Sequence, residues 1–98
     1  MVVCTGTFVI PDATGVARKL SRRYGKRDGD EWTWLDGTRV LGTIGQIFSD
    51  DGEMALTVDA MSEERYEAMT DHLLSIAPGA ELVVESRSTA AELVDHAM

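Results

Sequence analysis

The sequence predicts an α+β domain: an antiparallel sheet with helices packed on one face. Three observations carry this. The stretch 38–76 reads strand, tight turn, strand, capped helix. The N-terminal 24 residues read strand then amphipathic helix. Between them, Asp36-Gly37 is a hairpin signal flanked by strand-forming residues.

In the central stretch, Val40, Ile44 and Phe48 recur toward one face, and Met54, Leu56 and Val58 do the same after Asp50-Asp51-Gly52. A three-residue loop with Gly52 in the left-handed position would pair Phe48 with Met54 and Ile44 with Val58. That register puts both apolar rows on one face, and a slip of one residue would separate them. Ser62 caps the helix that follows, with Met61 and Tyr66 at the staple positions and Glu63 and Glu64 in the first turn, where the dipole favours negative charge. Tyr66, Met69, Leu73 and Ile76 form its inward stripe, and Pro78-Gly79 ends it. The expected main core is Val40, Ile44, Phe48, Leu56, Val58, Tyr66, Met69 and Leu73.

Val2–Ile10 is the expected first strand, with Cys4, Phe8 and Ile10 inward, stopped by Pro11, which lacks a ladder donor. Asp12 is the expected N-cap of a helix whose stripe is Ala13, Val16, Ala17, Leu20 and Tyr24, ending at Gly25. Its other side is basic and is expected to be a solvated face balancing nearby carboxylates. After the loop Asp28-Gly29-Asp30, residues 31–35 form a short strand. A type I′ turn at Asp36-Gly37 would set Trp34 opposite Arg39, Trp32 opposite Leu41 and Thr33 opposite Val40. Both tryptophans would then project away from the Val40/Ile44/Phe48 row. A last strand over 80–86 is expected with Leu82 and Val84 inward, and the capping box Thr89-Ala90-Ala91-Glu92 opens a short C-terminal helix to about Ala97.

The order is thus β-α-β-β-β-α-β-α over a single domain, 1–98. With the Trp-bearing edge strand and the terminal helix set aside, it resembles the split βαβ plan of ferredoxin-like folds, which implies two helices on one face of the sheet. The opposite face, carrying Trp32, Trp34, Leu41 and Ile47, is too apolar to stay bare. It is expected to be covered by the terminal helix or by another molecule.

Charge is divided along the chain. Residues 1–27 hold six bases against one acid, a balance of +5, and residues 28–98 hold three bases against sixteen acids, a balance of −13. An acidic body argues against a nucleic-acid partner and steers a basic partner inward. The one cysteine excludes an internal disulfide, no apolar run reaches the ~20 residues of a membrane span, and no basic leader precedes Val2–Ile10. A cytoplasmic protein is the expectation.

Chemistry-bearing motifs are sparse. His72 and His96 are far apart in sequence and lack ligand-like company, so no metal is expected. Cys4 on the inward row reads as a buried inert thiol. Asp50, Asp51 and Glu53 crowd a turn but lack the spacing of a calcium loop. Gly42 and Gly45 lie inside a strand, where a phosphate loop cannot form. No catalytic residue and no cofactor is expected.

Two functions remain. The first is a small acidic, non-enzymatic interaction protein of the kind that phages and mobile elements use as inhibitors. It would occupy a basic surface of a larger, nucleic-acid-handling protein through Asp50, Asp51, Glu53, Glu63, Glu64 and Glu67. The second is a dimeric domain that binds or processes a small molecule. Its dimer or ligand face would be the open sheet with Trp32, Trp34, Arg39, Leu41 and Ile47, and its pocket would lie near Trp32, Trp34 and Arg39.

Overall fold

The computed structural model describes residues 2–50 and 52–89. The expected terminal helix and the Asp51 side chain lie outside the described residues. The chain is an α+β fold with one five-stranded antiparallel sheet and two helices. Its elements are β1 (Val2–Ile10), α1 (Val16–Tyr24), β2 (Glu31–Asp36), β3 (Arg39–Asp50), β4 (Glu53–Ala60), α2 (Glu63–Ile76) and β5 (Glu81–Thr89). The strands lie in the order β2-β3-β4-β1-β5, and every neighbouring pair is antiparallel.

Both helices cover the same face. Cys4, Phe8 and Ile10 of β1 stand opposite Ala60, Leu56 and Met54 of β4. All six are buried, with Ile44, Val58, Val16, Leu20, Tyr66, Met69 and Leu73 in the same cluster. Alternation on β1 and β4 therefore places the core as the sequence predicts. Ser62 caps α2 as expected, its hydroxyl accepting the Arg65 N–H at 3.2 Å. At α1 the expectation fails. Asp12 accepts the N–H of Thr14 at 3.2 Å in a local turn, and hydrogen bonding by Thr14, its hydroxyl first and then its N–H, holds the carboxyl below the usual carboxylate range. The helix instead starts after Gly15, whose φ of 73° an L-residue rarely adopts.

The β2–β3 hairpin departs most from expectation. Asp36 pairs with Arg39, so the loop is Gly37-Thr38 with positive φ at Gly37. Leu35 pairs with Val40, and the register then shifts so that Trp34 meets Gly42 and Trp32 meets Ile44. This bulge turns both indoles to the helix side. Trp32 is 1% exposed, among the largest side chains of the core, whereas Val40 is 50% exposed. The expectation of outward tryptophans and an inward Val40 is therefore corrected. Burying an indole against α1 outweighs the local preference for one hairpin turn over another.

A second bulge lies between Gln46 and Phe48. Ile44 pairs with Val58 as expected, but Phe48 meets Ala55 and Asp50 meets Glu53, which leaves a two-residue loop with Gly52 at φ 82°. Phe48 thereby leaves the core and is 45% exposed. On β5, a third irregularity pairs Leu82 with Phe8 but Val84 with Thr7. Val84 faces away from the helices, 61% exposed, and Leu82 is half-exposed at the sheet edge. Each bulge reverses which residues face inward beyond it.

Candidate functional site

A basic cleft of about 330 Å³ opens between α1 and the strand that follows it, lined by Ala17, Arg18, Ser21, Lys26, Arg27 and Trp32. Helical spacing explains three of these, since residues 17, 18 and 21 share one edge of α1. Gly25, at φ 93°, ends the helix and turns the chain so that Lys26 and Arg27 come round to the same opening. Trp32 forms the floor. Its indole N–H donates to Ser21 Oγ at 3.0 Å, so the ring is fully paired although buried. Arg27 lies 5.4 Å from the Trp32 ring centre and donates to Gln46 Oε1 at 2.7 Å. A stacked ring and a neutral amide thus hold the guanidinium in place without neutralising it.

The basic face is solvated as expected, with Arg18, Lys19, Arg22 and Arg23 exposed, but no described carboxylate pairs with it at close range. Among the described residues, the ion pairs are Arg87 with Glu63 at 2.9 Å and Arg87 with Glu85 at 2.6 Å, and neither uses a base of α1. Arg23 turns instead to His72 Nε2 at 2.6 Å, and Tyr24 Oη lies 3.0 Å from His72 Nδ1. A guanidinium can only donate, so Nε2 must accept and Nδ1–H donates to the tyrosine oxygen. Trp34 meets the imidazole edge-on at 5.6 Å. The imidazole therefore ties α1 and β2 to α2.

Burial first, and then the Arg23 charge, hold the His72 pKa below its ordinary 6.5. The fold therefore prefers the neutral ring, and the unfolded chain binds a proton first as pH falls below 6.5. This contribution to stability is complete above that value and is lost as pH falls through the lower folded value. Thermal melts from neutral pH down to mildly acidic pH should show Tm falling below about pH 6.5. His72→Gln should be flatter over that window, and a parent slope equal to the variant's would exclude the histidine as its source.

On the far side of the sheet edge, Arg87 bridges Glu63 and Glu85 while Tyr66 donates to Glu85 Oε2 at 2.8 Å. Arg87, and after it Tyr66, keep the Glu85 carboxyl below its usual range. Burial and the Glu85 contact push the Tyr66 phenol up to about 12. Beside them, burial pushes the Cys4 thiol up as well, and so disfavours a reactive thiolate. This cluster fastens β5 to α2.

The expected acidic contact set is divided. Glu63, Glu64 and Glu67 are exposed on α2, joined there by Asp71, and Glu63 is already engaged by Arg87. Glu53 is exposed at the opposite end of β4, roughly 20 Å away along the strand, and the Asp50 and Asp51 side chains lie outside the described residues. The five expected open-face residues are also separated. Trp32 and Trp34 are on the helix side, Arg39 closes the hairpin, Leu41 is the bulged residue beside it, and Ile47 is exposed at the other bulge.

Among the described residues, the open face carries Thr5, Thr7, Val9, Thr33, Leu35, Val40, Thr43, Phe48, Ala55, Thr57 and Val84 by register, with Glu31, Glu53 and Glu81 at its rim. Asp59, the carboxylate near its centre, accepts the Thr5 hydroxyl at 2.7 Å. At one end of this face Val3, Val40, Thr43 and Met61 border an apolar pit of about 120 Å³. Sequence reasoning missed Ser21, Arg27 and the Arg23–His72 contact. The only signal for the first two was a basic run continuing past Gly25. Among the described residues, no helix is long and apolar enough to cross a membrane. No family model matches this chain, and neither a curated protein nor a solved structure matches it.

Proposed function

We propose that the chain is a small acidic interaction protein that works as a homodimer, pairing through the open face of its sheet and presenting acidic surfaces to a basic protein partner. The observation that carries this reading is the face that no other described residue covers, where Leu35, Val40, Phe48 and Val84 are exposed among threonines. Two copies of net charge −8 repel one another, so their contact must be nearly uncharged. The middle of this face comes near that need, since its one central carboxylate, Asp59, accepts the Thr5 hydroxyl, while Glu31, Glu53 and Glu81 fall at the rim, where solvent screens them. Five strands about 4.8 Å apart and roughly eight residues long give a face of about 600 Å². Pairing two copies would bury about 1,200 Å², the lower end of the range for stable interfaces. The 120 Å³ pit could seat an apolar side chain of the facing copy.

The strand order supports a finer fold assignment. Without β2, the order β3-β4-β1-β5 with helices after β1 and β4 is that of the ferredoxin-like split βαβ plan. In such a dimer both helical layers point outward. Glu64, Glu67 and Asp71 of α2 would then meet a basic protein surface, as an inhibitor of a larger protein would require. The cytoplasm suits a single, buried, unpaired thiol.

Sedimentation tests the pairing. The parent is expected to sediment as a dimer at about 50 μM, well above a micromolar Kd. A Phe48→Lys/Val84→Lys variant should sediment as a monomer with an unchanged Tm. A monomeric parent at that concentration would end the dimer proposal. For the partner, Glu64→Lys/Glu67→Lys should weaken capture of basic proteins from lysate at low salt, an effect that salt at about 0.5 M mimics. Equal capture by parent and variant would remove α2 from the contact.

A further inference from the structure

We propose that the cleft between α1 and β2 binds a small phosphate ester, its phosphate held by Arg18, Lys26 and Arg27. Three cations reach this opening from two elements, and no carboxylate lines it. In a chain of net charge −8, three such bases without a carboxylate partner among the described residues are out of keeping with mere solubility. Of the three, Arg27 is the one already positioned. One of its N–H groups is spent on Gln46 and its plane is supported by Trp32, which leaves further donors of the fork for a tetrahedral anion. Ser21 adds a neutral donor. Its oxygen accepts the indole N–H, so its own proton remains available.

The size and surroundings of the cleft choose among phosphate-bearing ligands. A volume of about 330 Å³ is at the lower end for small-molecule sites, with room for a phosphate and one ring. The stem of Arg18 and Ala17 supply an apolar wall for that ring, above the buried Trp32. A nucleic-acid strand carries the same phosphate chemistry but would extend beyond the cleft. Asp28, Asp30 and Glu31 follow directly in the chain, and α2 carries Glu64, Glu67 and Asp71. Screening over about 8 Å lets a small dianion feel mainly the local bases, whereas a polyanion would also meet the acids.

The test is calorimetric titration of the full chain at about 0.15 M salt, using inorganic phosphate, adenosine 5′-monophosphate, adenosine and a single-stranded 12-mer as separate probes. Phosphate and the monophosphate should each saturate one site per chain, and adenosine should not bind. Arg18→Ala and Lys26→Ala, both at exposed positions, should each weaken the monophosphate several-fold. Arg27→Ala should weaken it about tenfold or more, as expected for a lost charge-assisted hydrogen bond. Arg27→Lys retains the charge without the fork and should fall between Arg27→Ala and the parent, which separates recognition from a folding defect. Arg39→Ala, at the far hairpin, should bind like the parent.

Equal binding of adenosine and its monophosphate would overturn the proposal, as would cleft variants that bind like the parent. Tighter, steeply salt-dependent binding of the 12-mer would make the cleft a nucleic-acid surface instead. The dimer face lies on the other side of the sheet, so a Phe48→Lys/Val84→Lys monomer should give the same titration. Failure of either proposal therefore leaves the other standing.

Discussion

Trp32→Ala is expected to destabilise the fold by about 3–5 kcal/mol, the cost of removing a large aromatic from a closed core. The indole is 1% exposed, lies opposite Ile44 and donates to Ser21. Truncation would remove that contact area, leave a cavity under α1 and free the stacked Arg27. In a domain of this size the loss corresponds to a fall in Tm of more than about 10 °C in a calorimetric melt. Val40→Ala, on the opposite face of the same hairpin, is the companion measurement and should stay within about 1 kcal/mol. If the two effects were reversed, the hairpin would have the register expected from an Asp36-Gly37 turn, with the tryptophans outside.

Gly42→Val should cost about 3 kcal/mol, at the upper end for overpacking. A Cβ at Gly42 would overlap the Met69 sulfur and come within 2.8 Å of the Asp59 carbonyl oxygen. Met69 can yield by changing rotamer, but the carbonyl belongs to β4 and cannot move without disturbing the ladder. Gly45, three residues along the same strand, has nothing within 4 Å of the same added atom. Gly45→Ala should therefore be neutral or stabilising by up to about 1 kcal/mol, because it restricts the unfolded chain. A chemical denaturation series on both variants checks the contrast. Equal effects would mean that α2 does not press on the sheet at Gly42.

How legible each element was depended on whether its pattern was uninterrupted. In β1, β4 and α2 every apolar residue the pattern places inward is buried or packed on the core, and Ser62 caps α2 as its side chain allows. In β3 the same kind of alternation misplaced Val40 and Phe48, because bulges near Leu41 and Ile47 insert a residue that alternation cannot register. The acidic α2 surface was readable as a helical stripe, whereas the basic cleft was not. Lys26 and Arg27 reach it only because Gly25 turns the chain, and Trp32 becomes its floor only because the hairpin register shifts.

The sequence by itself determined the α+β class, the order of the elements, the core of the two inner strands β1 and β4, and the division of charge along the chain. Those properties follow from local spacing and composition. Tertiary structure alone decided which face the tryptophans occupy, where the six bases of the first 27 residues go, and which residues are left on the open face. The physical reason is the same for all three. A one-residue bulge costs little locally, but burying Trp32 and Trp34 against α1 and α2 is a sizeable gain that only the packed helix layer provides. Once the indoles turn inward, Arg27 follows Trp32, Arg23 meets His72 and Val40 is left facing outward, while the second bulge, before Phe48, turns that ring out of the core.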